Sequence, residues 1–251
     1  MQKPTIKLFF IFCGFFASSI FLSTCGFEEN YFLPQVPEIN ISTQLNTSAT
    51  INLPSLTGFY YAQNYIIFYR IYISDFNTSS NDTTIFSNIN SSLVNDYNFI
   101  YPNTDPTSTT AGISANNLFL SRSYFELELE GVNINNMLSS SGGNIRISFP
   151  TAQGGNPVMT FNNGTVIYNL KRSGKLITPR PSDRYFQNTS QLSDANNANS
   201  NNNADVAARS GLSQTYAYVS MYVVAAGTDP VKFTTIYSKP THISVFRLPE
   251  N

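Results

Sequence analysis

The 251-residue sequence has no tryptophan, one histidine and two cysteines, and charged residues make up only 12% of it. These shortages exclude several chemistries. Without a Cys or His cluster there is no ligand set for zinc. No Gly-x-Ser-x-Gly elbow accompanies the lone His242, and no Gly-Lys-Ser/Thr step makes a phosphate loop. The charged fraction lies far below the roughly 25% of average domains. With a formal net charge of -1, the chain is not built for global attraction to nucleic acid. No catalytic, cofactor-binding or metal-binding residues are assigned.

Asn, Ser and Thr stand where charge is missing, and Tyr 15 and Phe 20 supply abundant aromatic surface. That composition favours strands over helices. The N-terminus differs in kind. Lys3 and Lys7 precede an apolar run, Leu8 to Leu22, dense in Phe, which ends at Leu22-Ser23-Thr24-Cys25. A charged start, an apolar middle and a short polar step make a secretory signal. The run is shorter than the roughly 20 residues a membrane-spanning helix needs.

Leu22-Ser23-Thr24-Cys25 resembles a bacterial lipobox of the relaxed spirochaete type, with Leu22 three positions before the cysteine. Thr24 departs from the usual Gly, Ala or Ser. The resemblance implies a signal peptide over 1–24 and lipid on Cys25. Gly26, where an Asp would signal inner-membrane retention, implies an outer-membrane destination. Cys13 leaves with the signal, so the mature chain has no free thiol or disulfide, and its core alone must hold it. Loss of Lys3 and Lys7 leaves 12 basic residues against 15 acidic ones, a net charge of -3. Residues 25–37 read as a tether, because Pro34 and Pro37 discourage helix. Its Phe27, Tyr31, Phe32 and Leu33 suit packing on the domain or on a membrane interface.

Residues 38–251 read as one elaborated all-β domain. Glu38 to Ser42 and Ala49 to Leu53 alternate polar and apolar, and Pro54 ends the second. Tyr65 to Ile73 is apolar on both faces except at Arg70, as a central covered strand requires. Thr215 to Gly227 and Thr241 to Phe246 close the chain. Together these stretches resemble the first, second, third, sixth and last strands of a fibronectin type III domain, an immunoglobulin-like sandwich. The family's core Trp is missing, and Leu53 takes its place. Such a sandwich needs about 100 residues, so residues 76–212 form a long, mostly β insertion or a second sandwich.

Within that insertion, Ser123 to Glu130 and Asn144 to Phe149 alternate strictly. Val158 to Phe161 and Thr165 to Tyr168 flank Asn162-Asn163-Gly164, which predicts a hairpin, since Asn-Gly adopts the positive φ of a type I′ turn. A short helix is expected over 116–123. Residues 191–203 form an Asn-rich low-complexity loop with little to bury.

Each remaining chemical candidate has a plainer explanation. His242 reads as a structural or surface residue. Glu126, Glu128 and Glu130 share one strand face, where like charges could hold a hard cation but more commonly solvate a strand and discourage edge pairing. Asp75, Asn77 and Ser79 have calcium-loop spacing, yet Ser80 and Phe86 stand where Gly and Glu are needed. Lys171-Arg172-Ser173-Gly174-Lys175, with Arg180 and Arg184, reads as a solvated basic loop able to touch anionic headgroups. The Asn-x-Ser/Thr triplets follow from composition.

The expectation is a lipid-anchored cell-envelope protein, non-catalytic and without cofactor. Its β-sandwich would bind or scaffold an envelope protein, a host protein or a glycan. The alternatives are an envelope glycan hydrolase using Asp/Glu carboxylates, and a purely structural envelope subunit.

Overall fold

A computed structural model of the chain describes residues 33, 35–37, 47–74, 119, 124–132, 138, 141–150, 156–161, 166–174, 186, 204–207, 216–230, 233 and 235–248. All of them fall in the unit spanning Phe32–Asn251. The described residues are all-β, with ten strands: β1 (Ser48–Leu53), β2 (Ala62–Ser74), β3 (Phe125–Leu129), β4 (Gly143–Ser148), β5 (Val158–Phe161), β6 (Val166–Arg172), β7 (Val206–Ala207), β8 (Tyr216–Thr228), β9 (Thr235–Tyr237) and β10 (Thr241–Arg247). Every alternating run that falls within them is a strand. The expected strand over 38–42 lies outside them, and Phe119 of the expected helix over 116–123 is helical.

The strands join in the order β1-β4-β5-β6-β3-β2-β8-β10, and β1 and β10 at its two ends approach each other. This nearly closed, barrel-like sheet replaces the expected sandwich of two separate sheets. The physical reason lies in the middle of the chain. The β5–β6 hairpin, paired from Phe161↔Val166 outward, fills the gap that a sandwich leaves open. Strand β3 then turns the corner. Phe125 and Glu126 pair with β2, whereas Leu127 to Leu129 pair with β6. Corners of this kind are made where one strand leaves its first sheet for another. Beyond the start of β3, β7 pairs in parallel with β2 at Ile71 and Tyr72.

The spine is the β2–β8 ladder, from Ala62↔Gly227 to Ser74↔Tyr216. Its odd-numbered residues Tyr65, Ile67, Tyr69 and Ile71 face Val219, Met221, Val223 and Ala225 in the main core. Ile51, Leu53, Ile145, Ile147 and Met159 meet them from the other half, so Leu53 does occupy the core. Each such aliphatic side chain contributes about 1.5–3 kcal/mol through burial. The even-numbered outer face is covered as well: Ile66, Phe68, Tyr222, Val224 and Ala226 pack with Phe119, Tyr124 and Tyr237.

A bulge in β10 sets which residues reach that core. The register steps from His242↔Tyr222 to Ser244↔Met221, leaving Ile243 extra. Strict alternation would place His242 and Phe246 on one face. The extra residue reverses the phase, so His242 stays outside beside Tyr222 while Phe246 enters the core and stacks on Phe149.

Candidate functional site

Three polar groupings carry chemistry, and only one of them is open to solvent. The first is a buried ion pair at the β3 corner. Arg172 ends β6 and is 1% exposed, and Asp205 beside β7 is 0% exposed. Arg172 Nε donates to Asp205 Oδ2 at 2.8 Å and Nη2 donates to Oδ1 at 2.6 Å. The Tyr69 hydroxyl donates to Oδ2 at 2.7 Å and accepts from the Gly174 N–H at 3.1 Å. Burial alone would lower the Arg172 pKa, but the hydrogen bonds and charge of Asp205 reverse that and raise it. A Cβ on Gly174 would sit 2.5 Å from the Asp205 Cβ, so only glycine lets the two backbones meet there. The grouping ties β2, β6 and β7 together.

The basic run therefore does not behave as a free loop. Arg172 is sequestered, and Lys171 lies on β6 at 3.8 Å from Glu130. Lys175, Arg180 and Arg184 lie outside the described residues, as do Asp75 to Asp82 and Cys25.

The second grouping is the aromatic outer face of β2, β8 and β10. Tyr72 and Tyr124 share a hydroxyl contact at 3.0 Å, and the Arg70 guanidinium lies 5.3 Å from the Tyr72 ring centre and 6.0 Å from that of Tyr124. Burial raises the Tyr72, Tyr124 and Tyr222 hydroxyls above the ordinary tyrosine value. His242 Nε2 is 3.3 Å from Ser220 Oγ. Burial pulls the imidazole down to about 4, so it is neutral at pH 7. A Ser–His contact invites comparison with a hydrolytic triad, but there the imidazole Nδ1 is oriented by a buried acid. Here His242 Nδ1 has no hydrogen-bond partner among the described residues. This histidine acts as packing on a covered face.

Glu126 and Glu128 stand at alternate positions of β3, and Glu130 lies in the turn just after it. Burial and the neighbouring Glu128 raise the Glu126 pKa. Glu130 accepts from Asn169 Nδ2 at 2.7 Å. Among the described residues no three His, Cys, Asp or Glu side chains converge as a metal site would require.

The third grouping is the outer face of β1, β4, β5 and β6. Thr50 pairs with Arg146, Arg146 with Thr160, and Thr160 with Ile167, so one row of side chains crosses four strands. Ser48 and Ser148 lie in the adjacent row, and Arg146 Nη2 donates to Ser48 Oγ at 3.1 Å. Thr50, Asn144, Arg146, Ser148, Thr160 and Ile167 line an open concavity of about 410 Å³. Neighbouring strands sit about 4.8 Å apart, so the row presents hydroxyl, guanidinium and methyl groups at regular steps.

No family model, curated protein or solved structure matches this chain. Its function must be read from these groupings. Sequence reasoning passed over Arg146 and Asp205. The first was visible as the polar phase of Asn144-Ile145-Arg146-Ile147-Ser148. The second carried no local signal, because its partners are 33 and 136 positions away.

Proposed function

We propose that the chain is a lipid-anchored cell-envelope protein that works by display. Lipid on Cys25 fixes it to a membrane, with Gly26 favouring the outer membrane, and the domain binds or scaffolds without catalysis. The single observation that carries the binding reading is the open row Thr50, Arg146, Thr160 and Ile167 over its concavity. Hydroxyls, an amide and one guanidinium on a rigid sheet suit a polar ligand with hydroxyl and carboxylate groups, such as an acidic glycan or a polar protein segment. The groups with perturbed titration lie mainly elsewhere, on covered faces that hold the fold together.

The fold reading is an immunoglobulin-like sandwich, elaborated until its gap is bridged. In such domains the third, sixth and last strands share one sheet, and β2, β8 and β10 run side by side in that order. The β5–β6 hairpin is the elaboration.

Two measurements test the proposal. Intact mass of the mature protein should show lipid on Cys25, lost in Cys25→Ala. On an array of neutral and uronate-bearing oligosaccharides, alongside solubilised envelope proteins, retention should fall with Arg146→Ala. Binding indifferent to that substitution would move the functional face elsewhere.

A further inference from the structure

One pole of the domain exposes large aromatics that its fold does not need. β2 begins and β8 ends there: Ala62 pairs with Gly227, and the Thr228 N–H donates to the Tyr61 carbonyl at 3.1 Å. Two connections therefore meet there: residues 54–61 before β2, and Asp229, Pro230 and Phe233 after β8. The first carries Phe59, 45% exposed, and Tyr60, 91% exposed. The second carries Phe233, 83% exposed. Isolated exposed apolar residues are ordinary. Three aromatics on two adjoining loops form a feature.

Both tips are held by backbone. The Phe59 N–H donates to the Leu56 carbonyl at 3.0 Å, the Ala62 N–H to the Phe59 carbonyl at 3.0 Å, and Leu56 is buried. The Phe233 N–H donates to the Asp229 carbonyl at 2.8 Å, and Phe233 has φ 53°, the one positive φ of a non-glycine residue among those described. A bulky residue in that region is a genuine outlier. The strain presents a ring to solvent, where the domain itself gains no packing from it.

The path of the chain says what lies opposite. Val36 is fully buried, and its carbonyl accepts from Thr241 Oγ1 at 2.6 Å, beside Val223 on β8. Leu33 lies four positions farther along β8, against Gly227 at the pole. The described backbone thus runs from Leu33 at the pole inward to Val36, so the domain's first described residue lies at the same end as the aromatics. Seven residues lie between Cys25 and Leu33, and the eight steps span at most about 29 Å.

The geometry points to a membrane-docking pole: Phe59, Tyr60 and Phe233 insert into the interfacial layer of the bilayer that holds the lipid on Cys25. This rests on the lipoprotein reading above. Amphipathic rings settle at the headgroup level of membranes, and stable peripheral attachment takes more than one signal. Docking here would fix the orientation of the domain, which a tether alone leaves free.

The absence of tryptophan makes the test direct, because Tyr60→Trp and Phe233→Trp each introduce the sole indole of the chain. Ile167→Trp, on the distant polar face, is the control with a comparably exposed indole. Full-length lipidated protein is bound to phosphatidylethanolamine–phosphatidylglycerol vesicles, with and without acyl-chain bromination. Emission at positions 60 and 233 should shift to the blue and be quenched by brominated lipid, whereas position 167 should stay water-like. Vesicle-bound protein carrying lipid on Cys25, with all three indoles water-like, would overturn the docking pole alone. Intact mass showing no lipid on Cys25 would overturn the anchor and the docking pole with it.

Discussion

The two halves of this sheet use opposite rules for covering their faces. In β2, β8 and β10 both faces are buried, so Ala217 to Gly227 is buried without a break and His242, Ser220 and Tyr222 are enclosed with the aliphatics. In β1 and β4 burial alternates, with Ile51, Leu53, Ile145 and Ile147 inward and Thr50, Asn52, Asn144 and Arg146 outward. The difference separates stability from recognition. Polar side chains in the first half are enclosed among packed neighbours, so changing them costs folding energy. Polar atoms in the second half face water and are free to meet a ligand.

The sharpest way to break this contrast lies at the corner where the halves join. Asp205→Ala leaves the Arg172 guanidinium buried without its counter-charge, and should destabilise the domain by about 3–5 kcal/mol in urea unfolding. The partly exposed Lys171–Glu130 pair offers the comparison, and Glu130→Ala should cost less than about 1 kcal/mol. Similar values for both would mean that the buried pair is not a staple.

His242 gives the next largest effect, and its sign is fixed. Its folded pKa of about 4 lies below the ordinary 6.5. Between those values the unfolded chain binds a proton that the native state refuses, so stability falls as pH drops from 6.5 to 4 and the loss saturates below 4. At about 1.4 kcal/mol per pKa unit, the cost approaches about 3 kcal/mol. The difference in unfolding free energy between wild type and His242→Gln, measured from pH 7.5 to 4, should follow that window. A difference independent of pH would show the imidazole to be solvated.

Gly227→Ala probes the close pole of the covered half. A Cβ there would collide with the Tyr61 carbonyl oxygen, and backbone cannot rotate away as a side chain does. A loss of about 1–3 kcal/mol is expected, as for other overpacked sites, read as a lowered Tm. Smallest of all should be Arg146→Ala and Thr160→Ala on the open face, within about 0.5 kcal/mol of wild type. A large loss at either would give the open face a structural role.

Much of the fold was legible because period-2 alternation is local. β1, β3 and β4 follow from which side chains are apolar at every second position, β5 and β6 from the Asn-Gly step between them, and the double-sided run of β2 marks it as central. The polar row of the candidate site was present in the same alternation, but nothing local says that Thr50, Arg146 and Thr160 line up. That depends on register across three strands. The phase of β10 was equally hidden, since a bulge leaves no mark in its composition.

By itself, then, the sequence determined that the chain is β and that the Tyr65 to Ile73 strand is central. Hydrophobic period and side-chain chemistry are enough for that. Tertiary structure alone decided that a hairpin bridges two half-sheets, that Arg172 of an apparently solvated basic run finds Asp205, and that Phe59, Tyr60 and Phe233 share a pole with Leu33. Each depends on pairing between residues far apart in the chain, and such pairings are fixed only when backbone hydrogen bonds and core packing are satisfied together.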